Sequence, residues 1–212
     1  MNNNFKSTIN TWVSANWNQY LRNFNSPIDE KAKGYYYTGE YRIEMTPIGN
    51  AHAQAHSIIN HAIYLYATLR GIPITGKDNC SYRKSGVFAI QPDLSFYIED
   101  NASIIPWETE FIDLNQYKIP DLVIEISDIF LSDDLGRKRL LCEDLGIAEY
   151  WVVDVKHINI IAFKIQYKGS VRIEESKILS GFKIDTLTEA LQRSKNSNDT
   201  KVSSWLLQEF QK

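Results

Sequence analysis

Two short apolar runs on either side of one helix-length segment constrain the fold of this chain most strongly. The runs are PDLVIEIS at 120–127 and EYWVVDV at 149–155, and a helical pattern at about 132–145, ended by Gly146, lies between them. Two apolar strands joined by a helix are typical of a crossover between parallel strands. The sequence therefore predicts an α/β domain with a central mixed β-sheet flanked by helices.

The other segments predict further helices and strands around this unit. Apolar spacing predicts a helix at 5–24 with Ser7 as N-cap, and another at 51–70 closed by Gly71. Strands are predicted for 80–90 and 94–98, an irregular segment for 101–118, and hairpins for 34–45 and 158–178. A short helix at 184–193 precedes a polar linker and a last amphipathic helix, which docks on the domain or swaps onto a partner. We divide the chain into an N-terminal helical extension (1–30), the main domain (31–192), and a linker with a C-terminal helix (193–212).

Composition limits the function classes. The chain has 212 residues, a net charge of −3, 43% hydrophobic residues and 2 cysteines. The net charge disfavours a strong nonspecific nucleic-acid binder, because such binding depends on basic surface. No apolar run approaches the roughly 18 residues that span a bilayer, and MNNNFKSTIN at the start is unlike a signal peptide. We therefore expect a cytoplasmic protein that does not enter a membrane.

A carboxylate stands inside the first apolar run. In a strand, alternate residues share a face, so Asp121, Val123, Glu125 and Ser127 point one way. A buried carboxylate is costly unless it is paired, hydrogen-bonded or metal-bound. Glu125 therefore needs a partner.

The helix that follows supplies a candidate partner. On a helical wheel, Lys138 lies within the apolar stripe formed by Leu131, Leu135, Cys142 and Leu145. The strand against which this helix packs carries Glu125. A structural ion pair and an active-site pair explain these two residues equally well.

A second Pro-Asp motif favours the active-site interpretation. QPDLSFYIE at 91–99 repeats the pattern of Pro-Asp before an apolar strand, with Asp93 at its start. Carboxylates on two adjacent strands suit Mg²⁺, which takes few protein oxygens and keeps several waters. A lysine beside such a metal can orient or deprotonate the water that attacks a phosphate.

These motifs resemble the PD-(D/E)XK nuclease superfamily, with its restriction-endonuclease-like fold, and more closely the Uma-two family of endonucleases. The resemblance covers about residues 34–190. The superfamily's lysine two residues after the glutamate is absent, since Ser127 stands there. SDIFLS replaces the family's Ser-Pro-Ser, and Cys142 replaces a common aromatic residue. The matching segments are QPDLSF (91–96), PDLVIEIS (120–127), DLGRK (134–138), GIAEYWVVDV (146–155), GEYRIEMTP (39–47), HSII (56–59) and LSGF (179–182).

The resemblance implies a function and a set of site residues. It implies a Mg²⁺-dependent endonuclease that hydrolyses phosphodiester bonds, with DNA as the expected nucleic-acid partner and Mn²⁺ as a substitute metal. Asp93, Glu125 and the backbone carbonyl of Ile126 would bind the metal, and Lys138 would be the displaced catalytic lysine. Ser127 and His56 are accessory candidates, and Asp121 is either a further ligand or a strand cap. A homodimer would bring one active site to each of the two DNA strands. The alternative is a catalytically inactive nuclease-fold module that binds nucleic acid or a protein.

The other candidates have simpler explanations. His52 and His56 are four residues apart on a predicted helix that also carries His61, but this spacing alone is a weak metal signal. Asp154 at the end of its strand is interpreted as a turn residue, and Trp151 as core. Tyr35–Tyr37 and Tyr41 suit base stacking but better suit hairpin packing. Five basic residues could form a local rim that binds a phosphate backbone, but an ordinary solvated surface is the favoured interpretation. These residues are Lys31, Lys33, Arg42, Arg83 and Lys84.

Overall fold

The structure is a computed structural model and describes residues 9–25, 32–45 and 48–212. The chain divides into two compact units. The first comprises Met1–Pro47, Asn79–Pro92 and Ile105–Lys118, and the second comprises Ile48–Asp78, Asp93–Ile104 and Ile119–Lys212. The division of the chain at residues 30 and 192 stays a prediction.

The described residues form strands and helices in mixed order along the chain. The strands are β1 (Val13–Ser14), β2 (Lys33–Tyr37), β3 (Glu40–Glu44), β4 (Ile74–Asp78), β5 (Tyr82–Lys84), β6 (Phe88–Ile90), β7 (Leu94–Ile98), β8 (Ile112–Asp113), β9 (Leu122–Ser127), β10 (Glu149–Asp154), β11 (Asn159–Gln166) and β12 (Gly169–Ile173). The helices are α1 (Trp17–Phe24), α2 (Asn50–Arg70), α3 (Leu131–Asp133), α4 (Arg139–Leu145), α5 (Ile184–Lys195) and α6 (Asp199–Phe210), with a 3₁₀ turn at Glu99–Asn101 and a π-helical turn at Asp134–Lys138.

The first unit is a mixed sheet covered by α1. Its strand order is β1-β3-β2-β6-β5-β8, and the predicted hairpin is confirmed as β2 and β3 around Thr38 and Gly39. The predicted strand at 80–90 is instead a second hairpin, β5 and β6. Its core includes Tyr20, Tyr36 and Tyr41, because the aromatic strand residues face α1.

The helix predicted at 5–24 is wrong over much of its length. Residues 5–8, with the proposed cap Ser7, lie outside the described residues, and Val13–Ser14 pairs with β3 as a strand. The helix begins only at Trp17. Asn16 accepts a hydrogen bond from the Gln19 amide while the Gln19 side chain accepts one from the Asn16 amide, a capping box that fixes this start.

The second unit contains the predicted crossover. Its sheet has the order β12-β11-β10-β9-β7-β4, in which β9 is parallel to β10 and antiparallel to β7. The segment between β9 and β10 is the helix α3, the π-helical turn and α4, which ends at Gly146 in a left-handed conformation. The mixed sheet flanked by helices that the sequence predicts is confirmed, and β4 is an addition.

The two faces of the second sheet have different chemistry. Leu122, Ile124 and Ile126 of β9 point into the main core, as predicted. Three helices cover that face, including α6, whose Val202, Leu206 and Phe210 are buried. Only residues 196–198 separate α5 from α6, so most of the predicted linker is helical.

Candidate active site

Glu125 and Lys138 meet on the face of the second sheet opposite the main core. Their side chains are 2% and 3% exposed, and the Lys138 Nζ lies 3.9 Å from Glu125 Oε1. Glu125 lies in the middle of the sheet because β9 has β7 on one side and β10 on the other. The helical-wheel prediction that Lys138 points inward is confirmed by its burial.

Asp134 is the closest acidic contact of Lys138. The Lys138 Nζ lies 2.8 Å from Asp134 Oδ1, and Asp134 is equally buried. Both residues belong to the π-helical turn, a rare element that is frequent at functional sites. The Tyr150 hydroxyl on β10 donates a hydrogen bond to the Asp134 carbonyl at 2.9 Å and so fixes this turn to the sheet. Lys138 is therefore shared by two buried carboxylates.

Asp93 lies across from Glu125. Leu94 pairs with Ile124, so Asp93 comes opposite Glu125 when the antiparallel register is continued by one residue. Side chains at directly opposite positions have Cβ atoms about 5 Å apart. Asp93 is 4% exposed, and its Oδ2 accepts a hydrogen bond from the Ile126 amide at 2.8 Å.

The Ile126 backbone is oriented toward the same edge. An amide and a carbonyl of one strand residue point to the same neighbouring strand. Since the Ile126 amide reaches Asp93 and the Ser127 carbonyl accepts from Val155 beyond β10, the Ile126 carbonyl is directed to the Asp93 side of β9. The Ile126 carbonyl, which the family resemblance implies as a metal ligand, therefore lies on the same side of β9 as Asp93.

Two histidines of α2 approach Asp93. The His52 Nε2 lies 3.4 Å from Asp93 Oδ1, and the His56 Nε2 lies 3.3 Å from the Asp93 carbonyl and 3.5 Å from Asp78 Oδ1. His56, an accessory candidate, thus contacts the backbone of Asp93 rather than its carboxylate. His61, on the same helix, is exposed.

Asp121 has a different role from Glu125. Its Oδ2 accepts from the Ile98 amide and its Oδ1 from the Asn101 side chain, both at 2.8 Å. It lies four residues from Glu125, about 13 Å along an extended strand. These contacts favour the strand cap over the metal ligand, the two roles left open by the sequence.

Burial, together with the nearby charges of the site, raises the pKa of two neighbouring groups. Burial raises the pKa of the Tyr150 hydroxyl well above its ordinary value, and the charges of Glu125 and Asp134 raise it further. Burial also raises the pKa of the Cys142 thiol, with Glu125 contributing in the same direction. Tyr150 therefore keeps its proton and remains a donor to Asp134.

The donor set fits Mg²⁺. Asp93, Glu125 and the Ile126 carbonyl offer hard oxygen ligands, which suit this ion. Ser127 Oγ is buried without a hydrogen-bond partner among the described residues, so the site contains a polar atom that a ligand or water can satisfy. In the described part of the chain, no group of three or more His, Cys, Asp or Glu side chains is arranged to hold a metal ion by itself. Mg²⁺ does not need such a group, because water molecules and oxygens of a substrate phosphate complete its coordination.

Sequence reasoning assigned no role at this site to two of its residues. Asp134 had a local signal, since it is four residues before Lys138 in DLGRK and this spacing puts both on one helix face. His52 had only its HxxxH spacing, and its contact with Asp93 depends on how α2 packs on β7.

The other predicted binding residues of the first unit are mostly interior. Tyr35, Tyr36, Tyr37 and Tyr41 are buried, which supports hairpin packing over base stacking. Arg42 is 4% exposed and pairs with Glu44 at 2.8 Å, so it is not part of a basic rim. The Arg83 guanidinium lies over the rings of Phe24 and Phe111, whereas Lys84 is exposed. Lys33 is half-buried, and Lys31 lies outside the described residues.

Comparison with known proteins identifies the family of this chain and a solved structure with a similar fold. A family model described as "Uma2: Putative restriction endonuclease" matches residues 12–194. A crystal structure titled as "a putative nuclease belonging to DUF820" from Anabaena variabilis matches with a TM-score of 0.59 and 21% identity, over 83% of this chain and 98% of that one. No curated protein matches the chain. Among the described residues, no helix has the length and apolarity needed to cross a membrane. The restriction-endonuclease-like fold is confirmed, and the chain belongs to the Uma2 family.

Proposed function

We propose that the protein is a metal-dependent endonuclease that hydrolyses phosphodiester bonds in DNA. One observation carries the proposal: Lys138 and Glu125 are buried together on the sheet face that lies away from the main core, with Asp93 across from Glu125. Membership of a family described as restriction endonucleases supports a nuclease with a nucleic-acid substrate.

Each residue has a stated role in this proposal. Asp93, Glu125 and the Ile126 carbonyl would hold Mg²⁺, or Mn²⁺ in its place. The bound cation would offset the charge that a phosphate gains as it is attacked. Lys138 would orient the attacking water through its ammonium group.

Three further residues support these groups. Asp134 holds the Lys138 ammonium through the 2.8 Å ion pair. His56 holds the backbone at Asp93. The Ser127 hydroxyl would donate to a phosphate oxygen, since it is buried and has no hydrogen-bond partner in the described part of the chain.

A nuclease assay tests the proposal. Purified protein with Mg²⁺ or Mn²⁺ is expected to cleave plasmid DNA, and linear duplex, single-stranded DNA and RNA define the substrate class. Glu125→Gln and Lys138→Met are each expected to lower the cleavage rate about 100-fold or more, because charge stabilisation and water positioning are lost. Glu189→Gln changes a half-buried residue of α5 and Lys201→Met changes an exposed residue of α6, and the two serve as matched controls. Equal cleavage by Glu125→Gln and the native protein would contradict the site.

Metal binding separates the enzyme from an inactive nuclease-fold module. Mn²⁺ is expected to raise the melting temperature of the native protein but not that of Asp93→Asn. If Mn²⁺ has no effect on either protein and all nucleic acids stay intact, the module is the better description. Analytical sedimentation measures the oligomeric state and so tests the proposed homodimer, which would place one active site on each strand of a DNA duplex.

A further inference from the structure

A further carboxylate, that of Asp154, lies on the site face at the end of β10, and it contacts a histidine of the turn that follows. Val152 pairs with Glu125 and Asp154 pairs with Ser127 in the parallel register, so Asp154 points to the same face as Glu125. β9 lies between β7 and β10, and Asp93 and Asp154 are therefore on opposite sides of Glu125.

Asp154 holds His157 by two contacts. Its Oδ1 accepts from the His157 amide at 3.1 Å, and its Oδ2 lies 2.7 Å from the imidazole Nδ1. A carboxylate only accepts, so Nδ1 carries a proton in this contact. The amide contact alone would satisfy the predicted turn role of Asp154, and the imidazole contact is additional.

The two residues differ in exposure in a way that suits catalysis. The Asp154 side chain is 8% exposed, whereas that of His157 is 67% exposed. The carboxylate is thus a fixed support, and the imidazole offers its Nε2 to anything bound at that end of the sheet. A histidine oriented by a buried carboxylate is a recurrent arrangement for proton transfer.

We propose that His157 is the general acid that protonates the departing 3′ oxygen, with Asp154 as its positioning residue. This role rests on the proposed nuclease function. A water oxygen forms a bond to phosphorus, and gives up one proton to solvent, as the bond from phosphorus to the 3′ oxygen breaks. The 3′ oxygen takes the proton from Nε2 of the imidazolium and leaves as a hydroxyl, and the other product carries a 5′-phosphate. Neutral His157 retains its Nδ1 proton against Asp154 and is reprotonated from solvent.

A pair of substrates tests this role. DNA has a poor leaving group, an alkoxide that needs a proton, whereas thymidine 5′-(4-nitrophenyl phosphate) releases 4-nitrophenolate, which does not. His157→Ala is expected to lower the maximal rate on DNA about 100-fold and to leave release of nitrophenolate unchanged. Asp154→Asn is expected to show the same pattern with a smaller loss. His61→Ala, on an exposed position of α2, is the matched control, and melting temperatures check the fold of each variant.

Each other outcome overturns the role of His157. Unchanged rates on both substrates would exclude it from the reaction. An equal loss on both substrates, with the melting temperature kept, would assign it to substrate binding instead. If the native protein and Glu125→Gln are equally inactive on both substrates, the proposed nuclease function fails and this role fails with it. In the first two cases the native protein is active, so the two failures are distinguishable.

Discussion

Glu125 and Glu149 are both buried on neighbouring strands, and their contacts separate a candidate catalytic carboxylate from a structural one. Glu149 lies on the core-facing side of β10 and is fully buried. It accepts hydrogen bonds from the Trp151 indole, the Ser176 hydroxyl and the Lys177 amide. These uncharged donors join β10 to the segment before α5. Glu125 instead faces an ammonium group across the site.

Removal of Glu149 is expected to destabilise the fold. In Glu149→Ala the three donors lose their acceptor inside the protein, which costs about 3 kcal/mol or more in the free energy of unfolding. Urea denaturation measures this cost. Glu189→Ala, on a half-buried position of α5 whose carboxylate pairs with Arg193, is the control and should change the free energy of unfolding by less than about 1 kcal/mol. Similar losses for both variants would contradict the structural role of Glu149.

The stability contributed by Glu149 should also depend on pH. Burial raises the pKa of Glu149 above its ordinary value of 4.5, although its hydrogen bonds act in the other direction. The folded state therefore holds this proton more tightly than the unfolded state does. The contribution of the carboxyl to stability is full below pH 4.5 and falls as the pH rises through the raised pKa.

The difference in unfolding free energy between the native protein and Glu149→Ala should accordingly shrink as the pH rises from about 4 to 7. Denaturation at several pH values measures it, and most other groups cancel in the difference. An increase with pH would show that the pKa of Glu149 is lowered in the folded protein.

Residues of the site differ in how far sequence reveals them. Lys138 is visible because one charge interrupts an apolar stripe, and Glu125 because it stands in a buried strand. His52 and His157 are not visible in this way, since their contacts depend on how α2 packs on β7 and how the β10–β11 turn closes.

The segment between β9 and β10 shows how one helical element serves both fold and site. Its π-helical turn carries Asp134 and Lys138, and α4 then returns the chain to β10. Gly136 lies inside the turn, and a Cβ there would meet no atom within 4 Å. Gly146 ends α4 with φ of 80°.

Alanine at these two glycines should have opposite effects on stability. Gly136→Ala is expected to add about 0.5–1 kcal/mol to the free energy of unfolding, because it lowers the entropy of the unfolded chain without a clash. Gly146→Ala should lower it by about 1–2 kcal/mol, because a Cβ is strained in the left-handed conformation. Thermal and urea denaturation measure both. The same sign for both variants would contradict the assigned backbone conformations.

Elements were predictable where one signal dominated. Periodicity located α2, and Gly71 located its end. For α1 two signals indicated different starting points. The apolar spacing extended the helix to residue 5, whereas Asn16 and Gln19 form a capping box that starts it at Trp17. The pairing of Val13 with Tyr41 is a long-range contact, which local periodicity does not contain. The π-helical turn also has no recognised local pattern in this sequence.

In the whole molecule, α6 completes the core of the second unit. Phe210 packs edge-on against Tyr66 at 5.1 Å between ring centroids and lies 5.7 Å from the ring of Phe182. Leu206 is fully buried and Leu207, next to it, is 39% exposed. The sequence predicted an amphipathic helix here, but whether it docks or swaps depends on a surface formed by distant segments.

Two adjacent leucines of α6 provide a matched test of this docking. Leu206→Ala is expected to lower the free energy of unfolding by about 3 kcal/mol, because it leaves a cavity in the core. Leu207→Ala makes the same chemical change on the outer side and should cost less than about 1 kcal/mol. Urea denaturation measures both variants. Equal effects would contradict the packing of α6 on this core.

The position of α6 in the chain has a consequence for biosynthesis. Every strand of the second sheet is translated before α6, so the ribosome exposes Tyr66 and Phe182 before the helix that covers them exists. Such transiently exposed apolar surface favours aggregation and chaperone binding. The aromatic surface that α6 covers therefore stays exposed until α6 has left the ribosome, and a nascent chain that stalls before α6 keeps it exposed.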